Sequence, residues 1–331
     1  MRVIEQNVAR TLFASCIAIT AAVVSSTGFG QAYPTKPVRL LVAFSPGSQT
    51  DILARIIAPK ATENWGQQVI VDNRPGGAGG IAGGILTKAA ADGHTLMMYG
   101  DGHAINAALN PDILPFDTLR DIDRVSLVAS FPSILVVAPA LGVTSVKDLV
   151  ALGKSRPGKL SFGSAGVGGG THFSAEMFKI AAGIDAVHVP YKGPAEALTE
   201  SIAGRIQFMF TPPGPALPFI RDGRLLAIAV GSAQRSSLLP QVPTVAEAGL
   251  PGFEYDLWLG LFAPAGTPRP IVKQLNGEVT RIMNLPDVKE RLATQGLLHK
   301  AITPEEFDRF VRAEVDKLKN VVRIAGIKPG T

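Results

Sequence analysis

Ser45, Ser48, Gln49 and Thr50 bring hydroxyl and amide donors together in AFSPGSQTD (43–51), between two apolar runs, VRLLV (38–42) and ILARII (52–57). If the first run is a strand and the second opens a helix, these donors lie beside the free N–H groups of the helix's first turn. There the helix dipole adds partial positive charge. Gly47 opens the backbone, and Asp51 is expected to cap the helix. Such a junction can hold a carboxylate or a phosphate without Arg or Lys. An ordinary capped strand-to-helix loop explains the same residues, so this stretch alone leaves its chemistry open.

A second junction of the same kind is FGSAGVGGGTHFSAEMF (162–178), where Gly166, Gly168, Gly169 and Gly170 bare the backbone before a helix. Gly-x-Gly after a strand invites a dinucleotide reading, which also wants an acidic residue at the end of the next strand. Asp185 has the distance but precedes AVHVPY (186–191), so it stands at the wrong end. Neither loop ends in the Gly-Lys-Ser/Thr of a nucleotide P-loop. There is no Gly-x-Ser-x-Gly elbow and no His-Glu-x-x-His helix, which argues against a serine hydrolase or a zinc protease of those types. Asp-Gly-His occurs at 92–94 and 101–103, and Asp-Gly reads more simply as a turn than as a metal site. No cofactor or metal is expected. His172, at a helix start, is open to capping, packing or ligand contact. His188, in an apolar strand, is read as structural. Tyr191 and Lys192 end that strand and could line a cleft or simply turn the chain.

The elements that position these loops follow from periodicity. Strands are expected at 38–44, 68–72, 95–99, 133–138, 160–163, 186–191, 205–210, 225–231 and 257–263, with helical segments between most of them. That alternation implies parallel α/β sheets. Thr303-Pro304-Glu305-Glu306 is a capping box with Pro at the first helical position. Gly183 suits the C-terminal end of the helix opening near Thr171. Pro59 should kink or end the helix that starts near Thr50.

The 331 residues are 46% hydrophobic, enough for a sizeable core and about two domains. The opening residues read as an export signal. Arg2 and Arg10 precede an apolar run, TLFASCIAITAAVV (11–24), too short to span a bilayer. Small residues at Gly30 and Ala32 place cleavage near Ala32/Tyr33, so a periplasmic protein is expected. Cys16, the one cysteine, lies inside the apolar run, and the mature chain needs no disulfide. The net charge of +5 becomes +4 without Arg2, Glu5 and Arg10. Its basic residues are scattered, so no nucleic-acid partner is expected.

The motifs taken in order resemble one family. They are FSPGSQTDILAR (44–55), GQQVIVDNRPGGAGGIAG (66–83), ADGHTL (91–96), HAIN (103–106), LPFD (114–117), SAGVGGGTHF (164–173), VPYKG (189–193), VPTVAEAGLPGFE (242–254) and WLGLFAPAGTP (258–268). This ordered set is similar to the extracytoplasmic solute receptors of tripartite tricarboxylate transporters, the Bug receptors. The resemblance implies a two-lobed α/β periplasmic binding protein, type II-like, that closes like a Venus flytrap on a ligand in the interlobe cleft. It implies a first lobe at 33–131 plus 253–331 and a second at 132–252. It further implies a binding protein and not an enzyme, one that captures a small di-, tri- or aromatic carboxylate and delivers it to membrane transporter subunits. A monomer is expected. Carried over position by position, the ligand contacts would be Phe44, Ser48, Gln49 and Asp51 from one lobe and Ser164, Gly166, Gly168 and His172 from the other. Tyr99, His103, Tyr191 and Phe210 would form walls. Two positions depart from the family pattern. Gly169 stands where Ser or Thr is common. Thr211 stands where an acidic residue often follows the phenylalanine, which leans toward a ligand without an amine. An exported α/β hydrolase of carboxylate esters and a ligand-presenting sensor for a membrane kinase are the competing readings.

Overall fold

The computed structural model describes residues 33–109 and 114–325. The expected export signal, 1–32, lies outside the described residues. The chain divides into two units, Met1–Thr35 and Lys36–Thr331. Only residues 33–35 of the first are described, and everything below concerns the second.

Two five-stranded sheets carry this unit. The first contains β1 (Val38–Val42), β2 (Val69–Asn73), β3 (Thr95–Gly100), β4 (Ile122–Pro132) and β10 (Asp256–Pro264), in the order β2-β1-β3-β10-β4. The second contains β5 (Ile134–Val137), β6 (Leu160–Ser164), β7 (Ala186–Pro190), β8 (Phe208–Thr211) and β9 (Leu226–Val230), in the order β7-β6-β8-β5-β9. Helices follow most strands: α1 (Gln49–Trp65), α2 (Gly80–Leu86), α3 (Gly102–Leu109), α4 (Val146–Ser155), α5 (Gly170–Ala182), α6 (Pro194–Ile202), α7 (Pro213–Arg221), α8 (Arg269–Met283), α9 (Pro286–Thr294) and α10 (Pro304–Ala325). The two sheets and their helices form a two-lobed α/β fold.

The sheets are mixed, not parallel throughout as the alternation of elements suggested. β1 is parallel to β2 and β3, and β6 to β7 and β8. β10 and β5 run antiparallel to both of their neighbours. Only Ser133 separates β4 of the first sheet from β5 of the second. The chain thus passes straight from one sheet into the other. It returns alongside: Pro132 pairs with Asp256, Gly231 N–H donates to Ser133 O, and Tyr255 N–H donates to Gly231 O.

β4 was not expected from the sequence. Asp123, Arg124 and Ser126 interrupt its apolar pattern, and register shifts against β10 break its period. Arg124 is held by Asp308 of α10. α1 was expected to break at Pro59 but runs through to Trp65. Pro59 and Arg55 are both exposed, so water can take the carbonyl that loses its helical partner. The α10 capping box is formed in both directions: Glu306 N–H donates to Thr303 Oγ1 and Thr303 N–H to Glu306 Oε2.

The topology decides where loops converge. From β1 the chain goes to β2 on one side, then crosses to β3 on the other. From β6 it goes to β7, then crosses to β8. Each lobe therefore has a topological switch point beside its first parallel strand. Crevices outside the carboxyl ends of strands at such points are where open α/β sheets bind ligands.

Candidate functional site

The loops that leave β1, β3, β6 and β8 meet at a cavity of about 50 Å³, room for a few waters or a small polar group. Phe44, Ser48, Gln49 and Thr50 line it from the β1–α1 junction, and Asp101 from the end of β3. Ala165, Gly169, Gly170 and Thr171 line it from the β6–α5 junction, Pro212 from the end of β8, and Pro194 from the start of α6. Phe131 of β4 and residues 257–259 of β10 complete it.

At the first junction, Ser48 and not Asp51 is the helix cap. Ser48 Oγ accepts from Asp51 N–H at 3.2 Å. Asp51 instead braces the loop. Its carboxylate accepts from Gly47 N–H, Arg55 Nε and Asn73 Nδ2, each at 3.0 Å. Burial raises its pKa, but these donors outweigh burial and hold it below the usual carboxylate value. Gly47 has φ 79°, a conformation that favours glycine. Gln49 is 2% exposed. Its Oε1 accepts from Gly214 N–H of the other lobe at 2.9 Å, which fixes the amide's orientation. Its Nε2 is then left buried without a partner among the described residues. An unmade hydrogen bond of this kind costs roughly 1–3 kcal/mol.

At the second junction, no side chain caps α5, because Gly169 has none. Thr171 Oγ1 does not replace the missing hydroxyl at the cap, since it accepts from Ala165 N–H at 2.9 Å and so pins the loop. Gly166 (φ 124°) and Gly168 (φ 73°) need the left-handed region. Ser164 and His172, both buried, and the half-buried His188 form one cluster beneath this loop. Ser164 Oγ lies 2.6 Å from His188 Nε2, and the two imidazoles stack at 3.9 Å. Burial pushes the His172 pKa down to about 3, helped by His188 and Lys179. Burial pushes that of His188 to about 4, helped by Lys179. Both rings are neutral at pH 7. A Ser–His pair could suggest a hydrolase, but Ser164 is 0% exposed and His188 Nδ1 has no partner among the described residues to orient it.

Among the residues expected as ligand contacts, Phe44, Ser48 and Gln49 line the cavity, and the others lie elsewhere. Asp51 is turned to its own loop. Ser164 and His172 face the imidazole stack, while Gly166 and Gly168 shape the loop behind Gly169. Tyr99 is wedged under Gly79 and Gly102, and its hydroxyl accepts from Asn106 Nδ2. Its ring supports Phe44, at 5.9 Å between centroids. His103 is 0% exposed and packs on the Phe262 ring at 4.4 Å. Tyr191 is half-buried, and its N–H donates to Ser164 O. Phe210 lies in the core against Phe178 and Phe253 and does not line the cavity.

Asp101 is the charged side chain that the sequence reading missed. The tripeptide Asp-Gly-His suggested a turn. The usable signal was position: Asp101 directly follows a parallel strand at a switch point. Its carboxylate accepts from Tyr255 Oη at 3.2 Å and from the N–H groups of Gly102 and of Gly170 across the cleft. Burial, and next the charge of Glu314, push its pKa up to about 7 against these donors.

Residues 53–327 match the family model described as "Tripartite tricarboxylate transporter family receptor". The chain is 34% identical to protein BugT of Bordetella pertussis over 324 residues, 97% of this chain and 99% of that one. Among solved structures it is similar to Rpa4515 of R. palustris with adipate: 35% identity, TM-score 0.86, 90% of this chain and 99% of that one. It is also similar to MatC (Rpa3494) of Rhodopseudomonas palustris with bound malate: 31% identity, TM-score 0.83, 88% of this chain and 100% of that one.

Proposed function

This chain belongs to the tripartite tricarboxylate transporter receptor family, and from that premise we propose that it is a periplasmic receptor for a small organic carboxylate. It captures the acid between two lobes, closes on it, and hands it unchanged to a transporter of the tripartite type. We take the lobes to part near Phe131 and Phe253, beside the paired Pro132 and Asp256.

The observation that carries this reading is Gln49 Nε2: a buried donor without a partner among the described residues, facing a cavity flanked by two helix N-termini. An anion would satisfy it, and both helix dipoles favour negative charge there. That similar structures hold adipate and malate supports a carboxylate as the anion. Closure by ligand contact with both lobes is a population shift. Ser45 Oγ to Lys192 O and Gly214 N–H to Gln49 Oε1 are the kind of cross-lobe bonds that the closed state would keep.

Isothermal titration of adipate and malate into wild type and Gln49→Leu tests the reading. A hydrogen bond to a charged group is worth about 1.5–3 kcal/mol, so the variant should bind roughly 10- to 100-fold more weakly. Equal affinity in the two proteins would remove Gln49 from the site.

A further inference from the structure

Asp101 poses a problem for a carboxylate site. It lines the same cavity as Gln49, and an ionised carboxylate there would repel a second one. Its hydrogen-bond partners are all neutral: the Tyr255 hydroxyl and the N–H groups of Gly102 and Gly170. The charged and titratable groups facing it come from several elements. Glu314 of α10 is acidic. Lys317, also of α10, sits over the Tyr255 ring at 5.7 Å and not on the carboxylate. Tyr99 of β3 and Tyr255 are held protonated, their pKa values raised by burial and then by Asp101 itself. His103 is buried and neutral, its pKa lowered to about 3 by burial and then by Arg124.

The contact with Gly170 spans the lobes and leaves no spare room. A Cβ on Gly170 would stand 1.8 Å from Asp101 Oδ2 and 2.4 Å from Leu257. Asp101 therefore sits where closure brings the lobes together, at the N-terminus of α5 that no side chain caps.

Resting on the carboxylate reading, we propose that Asp101 is a specificity-determining residue that binds the ligand in its protonated form, taking one proton from solution as the carboxylate enters. The balance is simple: ionised Asp101, one solvent proton and the ligand carboxylate give a carboxylic acid that donates one hydrogen bond to the carboxylate. No covalent bond in the ligand changes. In the closed contact with Gly170, burial holds the Asp101 pKa near 7, and a nearby anion raises that pKa further. Asp101 thereby discriminates against ligands that bring a cationic group to this end of the cleft at low pH, and it links capture to the proton concentration outside the membrane.

The test is calorimetric titration of the mature protein with adipate and with malate from about pH 6 to about pH 9, in paired buffers of different ionisation enthalpy. Wild type should lose affinity as pH rises, approaching about tenfold per pH unit, with proton uptake near zero where the profile is flat and close to one per ligand where it is steepest. Asp101→Asn keeps the shape and the acceptor for Tyr255 and Gly170. It should bind with a flat profile and no uptake. Should that variant not fold, Asp101→Ser serves, and the wild-type proton count decides by itself. A flat wild-type profile without uptake, or an affinity that rises with pH as an amine-binding carboxylate would give, overturns the proposal while leaving the carboxylate reading standing. Failure of both acids to bind wild type and variant at every pH overturns both.

Discussion

Asp51 and Ser48 stand three residues apart and take different roles. Ser48 caps α1 and faces the cavity, while Asp51 holds Gly47, Arg55 and Asn73 and does not line the cavity. Asp51→Ala should therefore act through stability, with a loss of roughly 1–3 kcal/mol read from urea unfolding. Its effect on binding should follow only from the loosened loop. Because the Asp51 pKa is depressed in the folded state, its contribution is present above the unfolded carboxylate pKa and is lost as pH falls through the lower folded value. A variant as stable as wild type would show the brace to be idle. At this scale the sequence was partly legible. Donor-rich residues at a strand-to-helix junction pointed to Ser48 and Gln49. What it hid was direction: Asp51 turns to Gly47, Arg55 and Asn73, while Ser164 and His172 turn to His188, which the sheet brings beside them.

At the scale of elements, α5 begins without a side-chain cap, and its two first glycines differ. A Cβ on Gly169 would meet only Gly166 O, at 3.6 Å, whereas one on Gly170 would collide with Asp101 and Leu257. Gly169→Ser should thus be tolerated and add a few tenths of a kcal/mol through the cap, measured by thermal unfolding. Gly170→Ala should keep the fold of its lobe but hinder closure and weaken binding of adipate by at least about tenfold. Unchanged affinity in Gly170→Ala would contradict the view that this contact forms on closing. The strands were legible where both faces are buried, as in β5, whose apolar run ILVV is continuous. β4 was not, because charged residues reach partners such as Asp308 from within a strand. Nor could a pattern of apolar residues tell that β5 and β10 run against their neighbours, since connections set direction.

At the scale of the whole molecule, pH should act on stability through groups buried in their neutral form. His103, His172, His188 and His299 all have lowered pKa values, chiefly through burial. The unfolded chain then binds more protons below about pH 6.5, and stability falls as pH drops from there toward about 4. Asp101 and Asp256, raised to about 7 and about 6 chiefly by burial, work in the opposite sense and offset part of this. The thermal midpoint should decline across that interval, and a rising midpoint would mean that these imidazoles are not buried neutral. The two-lobed arrangement itself was readable only from the ordered family motifs, because a crossing of lobes depends on pairings such as Pro132 with Asp256. The most direct test of the central claim compares adipate with its diamide. Each is incubated with the mature protein, the thermal midpoint is followed, and the small molecule is then recovered and weighed by mass spectrometry. The account predicts that adipate raises the midpoint and returns intact, while the diamide does neither harm nor good to the fold. Equal stabilisation by the diamide, or a chemically altered adipate, would contradict it.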